Sequence, residues 1–199
     1  MPACVGVPPA ANRLLKKMTM MRSNLAASIS AGALHVEFQR LADRYAHQII
    51  YSPAGSISPM TWASQEGTFR DAWPPSPPLQ TLHLETRPDG SQTIMLIGMA
   101  GRSHWSMSVE AVTKDRLYFD VACRISESPV WLGSTYHCAN QDATAFCGRP
   151  TFSSCQGIGA RESALQIDCA SGILRIPVSL ATNAFPQSVR WRYTVAIAP

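Results

Sequence analysis

The sequence lacks a long apolar run and is poor in charged residues. Of its 199 residues, 46% are hydrophobic and 15% are charged, a composition typical of a folded chain and not of a disordered one. No stretch approaches the roughly 18 consecutive apolar residues that a transmembrane helix requires. We therefore expect a water-soluble globular domain without a membrane span.

Acidic residues are absent from the first 36 positions. The net charge is +4, but four of the 17 basic residues precede Glu37, whereas all 13 acidic residues lie at or after it. From Glu37 onward the 13 remaining basic residues balance the 13 acidic ones. This balance argues against nucleic-acid binding by the folded part.

The acid-free segment 1–34 also lacks any periodic pattern. It contains four methionines and three prolines. We therefore interpret it as an irregular or disordered head that results from a translation start assigned too far upstream. This interpretation favours a cytoplasmic protein. The alternative is an export signal, with Met21-Arg22 as its basic start and 25–34 as its apolar part. That part is rich in Ala, Ser and Gly, which is poor for a secretory signal.

The six cysteines lack the Cys-x-x-Cys spacing of zinc fingers and ribbons. One zinc-binding set is still available in the irregular part of the chain: His137, Cys138, Cys147 and Cys155. Adjacent side chains diverge on an extended chain, so we expect no cofactor and keep a zinc-stabilised domain as an alternative. Cys123 and Cys169 fall at inward positions of predicted strands, where a reduced, buried thiol is the default.

What the sequence does contain is alternation of apolar and polar residues. Between 94 and 125 it predicts three consecutive strands with short turns. If 113–115 is a hairpin loop, Trp105 faces Cys123 and Val109 faces Phe119 on the buried side. The opposite side is then polar. It would pair His104 with Arg124, Ser106 with Ala122, and Ser108 with Asp120.

Similar alternation predicts further strands at 45–51, 60–64, 79–87, 165–169, 174–180 and 188–197. Between 34 and 51, helical spacing competes with the strand pattern. Segment 126–160 shows no sustained period, which predicts an irregular insertion. Eight or nine strands joined by hairpin turns favour an all-β, mainly antiparallel fold for 35–199, a β-sandwich or flattened barrel.

Four prolines between 74 and 78 predict a stiff connector in place of a helix or central strand. We expect it to cross the end of the sheet or to cover an edge, with Trp73 packed in the core. Its Pro-x-x-Pro spacing leaves a docking peptide for an aromatic groove as the alternative.

The polar side of the predicted hairpin contains the residue types of a hydrolase: His104, Ser106, Ser108 and Asp120. A serine nucleophile usually needs a strained turn, however, and the chain has no Gly-x-Ser-x-Gly motif. The leading hypothesis is therefore a non-enzymatic module that binds a protein or a small molecule, with a hydrolase-like enzyme as the alternative. His35, His47 and His83 have no partner at ligand spacing, which predicts surface positions.

Four segments resemble a group of short, uncharacterised planctomycete bacterial proteins: DAWPPSPPLQ (71–80), GMAGRSHWS (98–106), FDVACR (119–124) and LGSTY (132–136). The resemblance covers about 36–136. It implies a bacterial, cytoplasmic protein, but it implies no activity and assigns no functional residue.

Overall fold

The computed structural model describes residues 25–138, 150–155, 158–161, 165–168 and 171–197. Within these ranges the chain is all-β and contains no helix, hence none that could cross a bilayer. The strands are β1 Leu25–Ala31, β2 Leu34–Leu41, β3 Arg44–Tyr51, β4 Met60–Ser64, β5 Thr81–Thr86, β6 Gln92–Ala100, β7 Ser103–Thr113, β8 Arg116–Ile125, β9 Gly133–Cys138, β10 Thr151–Cys155, β11 Ala160–Arg161, β12 Gln166–Asp168, β13 Ile173–Pro177, β14 Ser179–Leu180 and β15 Gln187–Ala196.

The strands form two antiparallel sheets and one short ribbon. Sheet A has seven strands in the order β1-β2-β3-β4-β9-β13-β12, and sheet B has six in the order β10-β15-β8-β7-β6-β5. The ribbon pairs β11 with β14. Each sheet begins as a four-strand meander and is completed by strands from the last third of the chain. The sandwich predicted from the alternation is confirmed.

The predicted pairing of β7 with β8 is confirmed residue by residue. Trp105 lies opposite Cys123, and Val109 lies opposite Phe119, with all four side chains buried. A bulge between Ala111 and Thr113 precedes the turn. Each fully buried side chain of this size contributes about 1.5–3 kcal/mol through removal of apolar surface from water, which fixes the register.

Aromatic rings fill much of the space between the sheets. The rings of Phe119 and Tyr193 stack with centroids 4.7 Å apart, and those of Trp105 and Trp191 meet edge to face at 6.1 Å. Trp73 packs against Trp105 at 6.5 Å. The proline-rich connector therefore contributes an anchor to the core, as predicted.

The connector carries the chain from sheet A to sheet B. The amide of Tyr45 in β3 donates to the carbonyl of Leu79 (2.6 Å), and the amide of Gln80 donates to the carbonyl of Ile97 in β6 (2.8 Å). Pro78 passes so close to β6 that a Cβ on Gly98 would overlap its carbonyl oxygen. A glycine is required here because backbone occupies the place of a side chain.

Three strands lie entirely within segments predicted to be irregular, and these boundaries need correction. β1 lies inside the predicted head 1–34, β9 and β10 lie inside the predicted insertion 126–160, and β11 begins at the last residue of that insertion, Ala160. In β1 the buried residues are mostly small, so the alternation carries little hydrophobic contrast. In β9 the first four residues are all buried, so no alternation exists. A strand covered on both faces does not show period two.

The structure resolves two further expectations. Segment 34–51 forms strands β2 and β3 and no helix, with a turn in which Ala42 has a φ of 54°. Ile167, two positions from Cys169 and so on the face predicted to point inward, is 49% exposed because β12 is a three-residue edge strand. Cys169 and Cys147 lie outside the described residues.

Candidate functional site

The outer face of sheet B presents the alternate side chains that point away from the core. The strand register sets two adjacent rows across β6, β7, β8 and β15. The first row is Met99, His104, Arg124 and Ser188, and the second is Ile97, Ser106, Ala122 and Arg190. Because directly opposite residues have Cβ atoms about 4.5–5.5 Å apart, the members of each row are close neighbours.

These rows border an open cavity of about 580 Å³, called here the outer-face pocket. Its lining includes both rows except Arg190, together with Gln80 and Thr81 at the β5 side. Small-molecule sites commonly have volumes of about 300–1,000 Å³. Ile97 and Met99 are 59% and 47% exposed, so one wall of the outer-face pocket is apolar and open to solvent. The opposite wall is polar.

The apolar wall was not recognised as a site from the sequence, although a signal was present. Segment 94–99 is apolar on both faces, whereas a strand with one wet face normally alternates. Its outward members Met95, Ile97 and Met99 are all exposed in the structure. An unbroken apolar run on a strand of an open sheet therefore indicated an exposed apolar strip.

Gln80 holds the β5 side of the outer-face pocket. Its side-chain amide donates to the carbonyl of Met99 (3.1 Å), and its side-chain oxygen accepts from the amide of Met99 (3.0 Å). Arg40 donates to the backbone carbonyl of Gln80 at 2.9 Å. The side chain of Gln80 thus pairs with β6 as one more residue of a strand would, and it fixes the backbone beneath Met99.

Of the four predicted catalytic residues, the structure brings His104 and Ser106 into the outer-face pocket. Ser108 and Asp120 are not part of its lining. Asp120 lies opposite Ser108 as predicted, but its carboxylate accepts hydrogen bonds from Arg190, whose Nε lies 2.6 Å from Oδ1, and from Arg192, whose Nε lies 3.1 Å from Oδ2. Only 9% of the Asp120 side chain is exposed. Asp120 is therefore occupied by two arginines.

The spacing along β7 separates the hydrolase candidates. His104 and Ser108 are four residues apart on one strand, about 13 Å at the usual rise, and Asp120 is level with Ser108. His104 and Ser106 are about 7 Å apart by the same measure. A catalytic relay requires neighbouring groups within about 3 Å. The described residues thus offer a surface that can bind and orient a molecule, without an assembled Ser-His-Asp chain.

A second polar cluster is buried in the core between the two sheets. His47 Nε2 lies 2.8 Å from the Tyr136 hydroxyl, which lies 2.5 Å from the Tyr193 hydroxyl. The surface position predicted for His47 is wrong: its exposure is 2%. His47 is two positions from the buried Ile49, and alternate residues of a strand share a face. This spacing could have predicted the burial of His47. Burial lowers the pKa of His47 from 6.5 to about 3 and raises the pKa values of both tyrosines.

Glu66 lies beside this cluster, just after β4. Its Oε1 accepts a hydrogen bond from the Ser64 hydroxyl (2.6 Å), which itself accepts from the amide of His47 (2.9 Å). Its Oε2 is buried without a hydrogen-bond partner among the described residues. Burial raises the pKa of Glu66 from 4.5 to about 7, against the lowering effect of the Ser64 hydrogen bond.

The proposed zinc ligands are only partly described. His137 is exposed and Cys138 is buried, so their side chains point to opposite sides of β9. Cys155 ends β10, where its backbone pairs with Arg192. No group of three His, Cys, Asp or Glu side chains suited to a metal occurs among the described residues. Zinc binding stays a prediction. Cys123 is buried as expected, which raises its pKa to about 12.

Comparison of the chain with protein-family models, curated proteins and solved structures gave no significant match. The resemblance to planctomycete proteins therefore stays a prediction.

Proposed function

We propose that the protein is a non-enzymatic binding module whose ligand is a small molecule held in the outer-face pocket. The observation that carries this proposal is the cavity itself, about 580 Å³ on a surface built largely of strands. Strands position side chains more rigidly than loops do, which favours a preformed site.

The composition of the walls supports a small-molecule ligand. Ile97 and Met99 offer apolar contact, while His104, Ser106 and Arg124 offer directional polar groups. A mainly apolar surface with a few polar groups is the usual make-up of ligand pockets. The hydrolase alternative has less support because Asp120 is engaged by two arginines away from His104.

Titration with 2-naphthamide, a neutral flat probe, tests the proposal. We expect it to shift the backbone amide resonances of the outward residues on β6, β7 and β8 in ¹H–¹⁵N spectra. Replacement Ala122→Trp fills the middle of the pocket and should abolish these shifts. Thr194→Trp is the matched control: it is also an outward position of sheet B, but it does not line the pocket.

Two results would overturn the proposal. One is the absence of shifts in the pocket strands at saturating probe. The other is equal binding by the Ala122→Trp and wild-type proteins, since a filled pocket cannot hold the same molecule. Intact folding of both variants is checked by the dispersion of the remaining resonances.

A further inference from the structure

The arginines on the outer face of sheet B differ in whether their charge is already neutralised. Arg190 and Arg192 both donate to Asp120. The side chain of Arg124, at the edge of the outer-face pocket, makes no hydrogen bond or ion pair with another residue that the structure describes. Arg124 is exposed, and no described residue occupies its guanidinium donors.

The described residues directly opposite Arg124 on the neighbouring strands carry no carboxylate. His104 lies directly opposite on β7, and Ser188 lies directly opposite on β15. The described residues that line the pocket include no Asp or Glu. Glu110, on the same face, lies six residues from His104 along β7, about 20 Å away, and its carboxylate is 3.7 Å from Arg87. A cation bound here would meet Arg124 without a compensating carboxylate.

The two kinds of wall are arranged side by side. Arg124, His104 and Ser188 share one row, which Met99 completes on β6, and the adjacent row contributes Ile97 and Ala122. An occupant can therefore place a charged group against Arg124 while its body covers the apolar strip. The planar guanidinium suits a carboxylate or phosphate, which it can bind through two parallel hydrogen bonds.

From this arrangement we infer that the ligand of the outer-face pocket is an amphipathic organic anion, with one carboxylate or phosphate group bound by Arg124 and an apolar body resting on Ile97 and Met99. The inference rests on the proposed function, because it names the chemical class of the molecule that the pocket takes. His104 and Ser188 provide further donors beside the anionic group, and Ser106 lies beneath the body of the ligand.

A matched pair of probes tests the charge requirement. 2-Naphthoate and 2-naphthamide have nearly the same shape and differ in the negative charge. We expect wild-type protein to bind 2-naphthoate about fivefold more tightly, the upper end of what a charge pair on an exposed surface contributes. 2-Naphthyl phosphate serves as a third probe, and comparison of its affinity with that of 2-naphthoate distinguishes a phosphate ligand from a carboxylate ligand.

Replacement Arg124→Gln should remove the advantage of 2-naphthoate over 2-naphthamide. Arg124→Lys keeps the charge without the planar fork and should retain part of the advantage. Arg116→Gln is the matched control, because Arg116 is an exposed arginine of the same strand that does not line the pocket. It should change neither affinity.

The outcomes separate the two proposals. If 2-naphthamide and 2-naphthoate bind the pocket equally and Arg124→Gln affects neither, the anion inference is wrong while the small-molecule pocket stands. If neither shifts the pocket resonances, the proposed function fails and the inference fails with it.

Discussion

Glu66 should make the folded protein less stable as the pH rises from 5 to 7. The folded state holds the Glu66 proton until about pH 7, whereas the unfolded chain releases it near pH 4.5. Between these values the folded state binds more protons, so raising the pH favours unfolding. One pKa unit corresponds to about 1.4 kcal/mol. The shift therefore lowers the free energy of unfolding by about 3 kcal/mol in total, of which about 2 kcal/mol falls between pH 5 and pH 7.

The comparison of wild type with Glu66→Gln isolates this effect. The glutamine side chain of the variant has no proton to lose, and all other titrating groups cancel in the difference between the two proteins. The difference in unfolding free energy should change by about 2 kcal/mol between pH 5 and pH 7, to the disadvantage of the wild type. Urea unfolding followed by tryptophan fluorescence measures it, with buried Trp62, Trp105 and Trp191 as reporters. Glu85→Gln, at an exposed carboxylate on β5, is the control.

In measurements on the wild type by itself, the titration of His47 masks the contribution of Glu66 to the pH dependence of stability. The folded-state pKa of His47, about 3, lies below the ordinary 6.5, so acidification below pH 6.5 favours the unfolded chain, which takes up the proton. Between pH 4.5 and pH 6.5, His47 and Glu66 change the unfolding free energy with pH in opposite directions, and the two contributions nearly cancel. The pKa shift predicts that the difference in unfolding free energy between wild type and Glu66→Gln changes by about 2 kcal/mol from pH 5 to pH 7. A change of less than about 0.5 kcal/mol over this range would refute the reasoning.

Three further substitutions test the packing and the polar contacts. Gly98→Ala should lower the unfolding free energy by about 3 kcal/mol or more, because the new methyl group overlaps the Pro78 carbonyl; unchanged urea stability would contradict the close crossing. Tyr193→Phe should cost about 1–3 kcal/mol by leaving the Tyr136 hydroxyl with one partner fewer, measured by the same unfolding curves, and a neutral effect would argue against that hydrogen bond. Asp120→Asn should cost about 1 kcal/mol at low salt and less at high salt; a loss independent of salt would indicate a packing effect instead.

The central part of sheet B could be predicted from the sequence because each of its strands has one dry face and one wet face. In β7 and β8 the large side chains Trp105, Val109 and Phe119 leave only one register that buries them all. The connector at 74–78 could also be predicted, since proline restricts the backbone whatever surrounds it. These features depend on local chemistry.

The features that the sequence did not predict, β9 and the outer-face pocket, depend on contacts between residues that are distant in the chain. The first four residues of β9 are buried, with Ser134 in contact with Trp191 of β15 and Thr135 in contact with Ser76 of the connector, although the sequence pattern assigned this segment to an insertion. The outer-face pocket joins residues of β6, β7, β8 and β15, and Ser188 is 64 or more positions from the others in the chain. The sequence predicted His104 and Ser106 with their β8 neighbours Arg124 and Ala122, but their neighbours on β6 and β15 follow from the strand order of the sheet.

The double hydrogen bond of the Gln80 side chain to Met99 bears on how the molecule behaves among its own copies. β6 extends beyond the start of β5, so this stretch would otherwise present a bare amide and carbonyl at the rim of sheet B. Bare rims of this kind recruit strands from other chains and begin aggregates. The Gln80 side chain binds both groups, which removes an exposed edge that could cause aggregation. This edge lies beside the outer-face pocket, which therefore stays accessible to a ligand.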